Sequence, residues 1–354
     1  IGADYFGWSC NGDCLFWTVG PTLYRLPLGD IDFDAPRSDR PVPVERGYDD
    51  VRDIAITVPR ERPGQQVLLT GATVFPMDDR SDPARRIEGA EILLKDGRIA
   101  AIGPARTVSA DEGVARIDLS GKYVIPGLID AHYHVADIRR DVLQFDAWGL
   151  KTNLAYGITT LFDPSSLTID MFTYEDLVAS GAVIGSRLYS TGPAIFDYHD
   201  FRSLAEVEAV LTRYRDHYRT RNLKQYRVGN RRVRQWFADA ANRLGMTPTT
   251  EGALSFKLGL SQILDGYSGN EHALPPPVLH RDVTELFAQS GTSSTLTLMI
   301  THGGTPADTS FIARRQPLED TKYARFAPDW FIEREFAGVE APDEDAFLYK
   351  TVAA

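Results

Sequence analysis

Cysteine is almost missing from this chain: Cys10 and Cys14 are the only two in 354 residues, so at most one disulfide can form. They flank Asn11-Gly12-Asp13, a tight-turn sequence, and could face each other across a hairpin either as a small disulfide or as two inert thiols. Cationic side chains are also in deficit. The 38 Lys and Arg against 49 Asp and Glu leave a net charge of -11, which repels phosphate backbones and anionic membrane surfaces and argues against a nucleic-acid partner. No apolar run approaches the roughly 20 residues of a membrane helix; the most hydrophobic stretch, Val67 to Phe75, is broken by Thr70, Gly71 and Thr73. Neither a fixed-period repeat nor a low-complexity tract is present. The sequence opens at Ile1 without an initiator methionine or a signal region and closes on Thr351-Val-Ala-Ala, which suggests a fragment. An export signal would be lost with the missing start, so localisation is open, with the periplasm or exterior favoured over the cytoplasm.

What is there is ordinary for a folded protein. Hydrophobic residues make up 43% and charged residues 25%, which excludes a disordered, collagenous or coiled-coil chain. At about 150 residues per domain, the length suits one large α/β domain and something smaller. Residues 1–50 read as short strands and turns, with apolar and aromatic residues on both sides of the Asn-Gly turn. A Pro-, Arg- and Asp-rich strap follows, with the linker at 51–65. Residues 66–125 show short strands separated by turns such as Lys95-Asp-Gly97, the pattern of a small β-sandwich.

From Leu128 the rhythm becomes strands alternating with helical stretches, as in βα units around a parallel sheet. Seven strands are expected near 128–134, 157–163, 186–192, 222–226, 246–251, 266–271 and 294–301, with surface helices at Leu204–Tyr214 and Arg231–Asn242. The fold class is therefore α/β, an incomplete TIM-like (β/α) barrel over 126–354, short of the about 250 residues that eight units need.

The strongest chemical signal is Asp130-Ala-His-Tyr-His134. On an extended strand, residues i and i+2 share a side, so both imidazoles converge at the C-terminal end of the first barrel strand, where such barrels keep their reacting groups. Neutral imidazole is a preferred ligand of zinc and similar ions.

With Leu68-Leu-Thr-Gly-Ala-Thr-Val-Phe75, Asp96-Gly-Arg-Ile-Ala-Ala-Ile-Gly103, Tyr123-Val-Ile-Pro-Gly-Leu-Ile-Asp-Ala-His-Tyr-His134 and Tyr156-Gly-Ile-Thr-Thr-Leu-Phe-Asp163, residues 66–304 resemble the amidohydrolase superfamily, in its imidazolonepropionase-like branch. The first 50 residues resemble the last blade of a TolB-like β-propeller, through Trp8-Ser and Asn11-Gly-Asp13. The amidohydrolase resemblance implies a divalent metal centre. Lys224, in Asn222-Leu-Lys-Gln-Tyr226, matches the position that is often carboxylated and would bridge two ions; burial, which lowers an amine's pKa, favours that chemistry. A surface lysine is the bland alternative. Glu251 stands where many members place a fifth-strand histidine, as an oxygen ligand that would admit Mn or Fe beside Zn, or else as a helix-capping glutamate. His272, in Gly269-Asn-Glu-His-Ala273, matches the sixth-strand histidine.

The expected ligand set is thus His132, His134, Lys224, Glu251 and His272, holding two zinc ions. Tyr226 and His302 are candidate substrate contacts, and Tyr133 and Tyr226 could donate to a developing oxyanion. His199, His217 and His280 are expected in solvent. The resemblance also implies an eighth-strand aspartate; Asp329, Asp343 and Asp345 follow no strand-like run and are not assigned to it. The implied activity is hydrolysis of a C–N bond, amide, cyclic amide or peptide, by metal-activated water. Its substrate would be a small molecule or peptide, and a homo-oligomer is allowed for. The rival reading is a family member that has lost hydrolysis and binds a ligand or partner.

Overall fold

The structure, a computed structural model, describes residues 3–34, 50–78, 82, 84–135, 144–252, 255–276, 278–297, 300 and 320–336. Strands β1 (Tyr5–Ser9), β2 (Cys14–Val19), β3 (Thr22–Pro27) and β4 (Asp50–Asp53) form an antiparallel meander in chain order. The first hairpin closes through Asn11 and Gly12, both at positive φ (58° and 101°), and Cys10 and Cys14 are disulfide-bonded with Cα atoms 5.4 Å apart. In the second hairpin Gly20 has φ +55°, and a Cβ there would lie 2.8 Å from the carbonyl oxygen of His217, so glycine is required by both backbone and space. Asp4 anchors this sheet: its carboxylate accepts from the Gly20 N–H (2.6 Å) and the Tyr218 hydroxyl (2.5 Å) and pairs with Arg213.

Strands β5 (Val67–Val74), β6 (Ile87–Lys95), β7 (Arg98–Gly103), β8 (Ala115–Asp118) and β9 (Tyr123–Val124) form one mixed sheet in the order β7-β6-β5-β8, with β9 also pairing β5. Asp96 (φ 52°) and Gly97 (φ 70°) make the two-residue turn between β6 and β7. Ala72, Val74, Ala90 and Ile92 are its buried core. Among the described residues this unit is a single five-stranded sheet rather than the two stacked layers of the expected sandwich.

The third unit holds all seven expected barrel strands: β10 (Leu128–Asp130), β11 (Ile158–Asp163), β12 (Arg187–Ser190), β13 (Asn222–Gln225), β14 (Thr247–Thr250), β15 (Gly269–Glu271) and β16 (Ser293–Thr295). All pair in parallel, as β10-β11-β12 and β13-β14-β15-β16, and an Ile195–Gln225 bridge joins the two runs. Among the described residues the sheet does not close into a barrel.

The helices are α1 (Trp148–Ala155), α2 (Asp170–Ala179), α3 (Leu204–Asp216), α4 (Arg231–Leu244), α5 (Phe256–Leu264), α6 (Arg281–Ser290), α7 (Thr321–Phe326) and α8 (Asp329–Phe336). The sequence places α3 and α4 well because both have start signals. The side chains of Ser203 and Asn230 accept the N–H groups of Glu206 and Val233, and Gly245 ends α4 at φ 65°. Val207, Leu211, Tyr214, Val233 and Phe237 of these helices pack with Ile195 and Leu223 in the largest core. A second core gathers Leu150, Leu161, Met171, Tyr174 and Leu188.

The strap before β5 lies along α2, where the Glu61 N–H donates to the Ala179 carbonyl (2.9 Å). Beside it, burial together with the neighbouring Asp176 pushes the Glu175 carboxyl up to about 7, against the pull of Arg60. A carboxyl raised from its ordinary 4.5 leaves the fold at full stability below that value and costs stability as pH rises through 7. Glu175→Gln is therefore expected to raise stability at pH 8 by up to about 2–3 kcal/mol and to change it little at pH 4.5. Urea midpoints at the two pH values check this; an equal change at both would contradict it.

Candidate functional site

The site forms at the C-terminal ends of the parallel strands. Strand β10 stops at Asp130, and the two histidines lie just past its end. The Asp130 carboxylate caps the turn by accepting the His132 N–H (2.9 Å), and the Tyr133 N–H extends the pairing to the Phe162 carbonyl (3.0 Å). The rings of His132 and His134 come to a centroid distance of 5.0 Å, and His132 and His272 to 4.7 Å. The convergence expected from the i, i+2 spacing is present, held by a turn instead of a strand.

Each of the three imidazoles is tethered through Nδ1: His132 to Glu271 (2.6 Å), His134 to Asp163 (3.0 Å) and His272 to the Thr297 hydroxyl. For His132 and His134 the carboxylate tether fixes the ring and its tautomer and leaves Nε2 as the nitrogen that faces away, the arrangement that metal-binding histidines use; the Thr297 hydroxyl orients the His272 ring, whose Nε2 is directed at Glu251. Burial lowers the His132 pKa, outweighing the opposite influence of Glu271, so the ring is neutral at physiological pH. His272 has φ +69°, a left-handed backbone that a residue with a Cβ adopts at a cost of about 1–3 kcal/mol.

Lys224, on β13, is fully buried, which rules out a snorkelling surface role. Its Nζ lies 3.1 Å from Glu251 Oε2, and His272 Nε2 lies 3.2 Å from the same oxygen. Burial drives the Lys224 pKa down while Glu251 and Glu271 oppose it. Burial also pushes the Glu251 carboxyl up, but the His272 hydrogen bond and the Lys224 charge outweigh it and hold it at about 2. Glu251 does not cap the next helix: α5 starts at Phe256 with Ser255 as its N-cap.

Five sequence-predicted residues thus meet in one place. Among the described residues no three His, Cys, Asp or Glu side chains are gathered tightly enough to hold an ion as they stand. The donor set nevertheless fits one chemically. His132 Nε2 is buried without a hydrogen-bond partner among the described residues, and neutral imidazoles with nearby carboxylates suit Zn, Mn or Fe.

The Tyr226 hydroxyl donates to Ser165 Oγ (2.8 Å) and its ring lies 4.9 Å from Lys224 Nζ, so in this arrangement the ring, more than the hydroxyl, faces the site. Tyr133 packs against the second core. His302 lies outside the described residues, as do Asp343 and Asp345, and Asp329 begins α8. Sequence reading did not single out Asp163 or Glu271, the two carboxylates behind the histidines. Both are buried. Both stood in stretches already conspicuous, at the end of Tyr156–Asp163 and directly before His272, so a carboxylate at a strand end opposite a candidate ligand was the available signal.

5-Methylthioadenosine/S-adenosylhomocysteine deaminase of Symbiobacterium thermophilum is 35% identical over 142 residues, 36% of this chain and 32% of that protein. L-hydantoinase of Paenarthrobacter aurescens is 35% identical over 129 residues, 32% and 27% of the two chains. Imidazolonepropionase of Rhizobium rhizogenes is 27% identical over 130 residues, 36% and 27%. These relatives are amidohydrolase-superfamily proteins.

No family model matches the chain, and it spans about a third or less of the length of these curated relatives. Among solved structures, phenylurea hydrolase B superposes with a TM-score of 0.57 at 14% identity, covering 80% of this chain and 76% of that one. A Xaa-Pro dipeptidase with bound methionine superposes with 0.53 at 19% identity, covering 78% and 74%. At such identities the likeness is one of fold alone, a mixed α/β architecture shared with these two proteins.

Proposed function

We propose that this chain carries the active centre of a metal-dependent hydrolase of C–N bonds. The observation that carries the reading is the set of three imidazoles, each tied back through Nδ1, around a fully buried lysine. His132, His134 and His272 would hold divalent ions through Nε2, Glu251 would add a carboxylate oxygen, and Lys224, carboxylated, would bridge two zinc ions, with Mn or Fe as alternatives. The ions, when bound, would acidify water and polarise the amide carbonyl. Glu271 and Asp163 keep the rings oriented, and burial around Lys224 keeps bulk water from its amine.

Small amides, cyclic amides or peptides are the proposed substrates, in keeping with the names of the relatives. The Cys10–Cys14 disulfide supports an oxidising compartment, outside the cytoplasm. The four-stranded meander supports the resemblance to a propeller blade.

One observation favours a second reading. The Lys224–Glu251 pair already balances charge, as a binding protein that has lost hydrolysis would need. A panel of hydantoin, dihydroorotate, an N-acyl amino acid and a Xaa-Pro dipeptide, assayed with zinc or manganese and bicarbonate and again after chelation, decides between them. Turnover of at least one compound that chelation removes is expected. Saturable binding without turnover under any metal would favour the binding protein.

A further inference from the structure

We infer that Asn270 is a positioning residue: it locks the His272 backbone in its left-handed conformation and so sets the direction in which the imidazole leaves the chain. Alternation along β15 sends Asn270 and Glu271 to opposite faces. Glu271 turns into the site, where it meets His132 and the Thr249 hydroxyl (2.6 Å). Asn270 turns the other way, against α5, and is 2% exposed. A glycine of that helix makes its seat. A Cβ at Gly259 would lie 3.8 Å from Asn270 Oδ1 and only 2.9 Å from Leu274 Cδ2, so the helix forgoes a side chain where the turn after β15 passes it. Gly252, Ser255 and Gly259 line a small cleft there together with Asn270 and His272.

From this seat Asn270 Nδ2 donates to the His272 carbonyl (2.9 Å). The bond ties down the residue that most needs it. His272 has φ +69°, a conformation that persists in a residue with a Cβ only where the surroundings over-determine it. Parallel pairing resumes at once, with the Ala273 N–H on the Leu296 carbonyl (2.8 Å). A return of φ to the extended region would turn the His272 Cα–Cβ bond and carry the ring off the Thr297 hydroxyl and Glu251, which it now meets through Nδ1 and Nε2. An amide suits the task because it donates while uncharged. An ionised carboxylate has no donor to offer the carbonyl, and an aliphatic side chain has none either. The consequence for metal binding rests on the hydrolase reading; the backbone lock does not.

The chain carrying isotope-labelled histidine is compared by nuclear magnetic resonance with Asn270→Leu, which has similar bulk and no donor, and with Asn270→Ala, so that a misfit of the leucine does not decide the outcome. In metal-free protein the His272 ring signals, identified by their loss in His272→Ala, should shift or split in both variants while those of His134 stay in place. Zinc affinity, read by calorimetry, should fall about tenfold, the lower end of the loss for a group that orients a ligand. The same substitutions should add nothing to the loss caused by His272→Ala. His272 signals indifferent to Asn270 would overturn the lock, and so would His134 signals that move as far as those of His272, since they would show a general loosening. A parent chain that retains no zinc while Asn270 governs its His272 signals would leave the lock standing and sink the metal centre. Tight zinc with His272 signals that ignore Asn270 would do the reverse.

Discussion

Lys224→Met is expected to remove metal-supported hydrolysis and to destabilise the fold by about 3–5 kcal/mol, the cost of leaving a buried charge without its partner. Lys224 has no exposed surface, and the carboxylates of Glu251 and Glu271 that favour its charged form are themselves largely buried. Methionine fills a similar volume but offers no cation and no amine to carboxylate. Glu251 would lose one of the two groups that hold its carboxyl at about 2, so its pKa rises and the stability that the depressed carboxyl contributes above its ordinary 4.5 is lost at pH 7. Activity should fall beyond the roughly 10–100-fold that loss of an outer-shell partner costs. Urea unfolding at pH 7 measures the first effect and turnover with added zinc and bicarbonate the second. A variant as stable and as active as the parent would contradict both roles.

How much of this could be read from the residues alone differs by element. The parallel strands were legible because turns bound them and helical stretches separate them, and the helices α3 and α4 carry their own start signals in Ser203 and Asn230. The histidine pair was legible through its spacing, although the convergence comes from the Asp130 turn and not from strand geometry. The layering of residues 66–125 was not legible: short strands with half-buried faces fit one mixed sheet or two stacked ones, and only pairing partners such as β5 with both β6 and β8 distinguish them. The state of Cys10 and Cys14 depends on how closely the hairpin brings them, which the turn sequence alone left open. Glu251 could have capped the following helix; α5 has Ser255 as its N-cap, and the Glu251 carboxylate turns to Lys224 and His272 instead. The tethers Asp163 and Glu271 were hidden because their meaning lies in which imidazole they face, a long-range fact. Beyond these, His302 falls outside the described residues and the seven strands leave the barrel open among them.

The second large effect concerns the ions themselves. If the imidazoles are ligands, removing one should abolish binding, and loosening a tether should weaken it in proportion. Asp163 is fully buried, and it accepts the His134 ring N–H and the Ser165 backbone N–H (2.9 Å) on one oxygen. Asp163→Asn keeps the shape and an acceptor but removes the carboxylate that holds and orients the His134 ring, so affinity should drop about 10–100-fold. His132→Ala removes a donor whose Nε2 is buried without a partner among the described residues, and tight binding should disappear. The pair of variants grades the site: one deletes a ligand, the other only its support.

The measurement that bears most directly on the account is a zinc titration of the chain, read by calorimetry and by metal content after gel filtration. The account predicts tight, stoichiometric zinc in the parent chain, weaker binding in Asp163→Asn and none in His132→Ala, with all three folded by circular dichroism. No zinc retained by the parent chain, or retention that neither substitution changes, would contradict it.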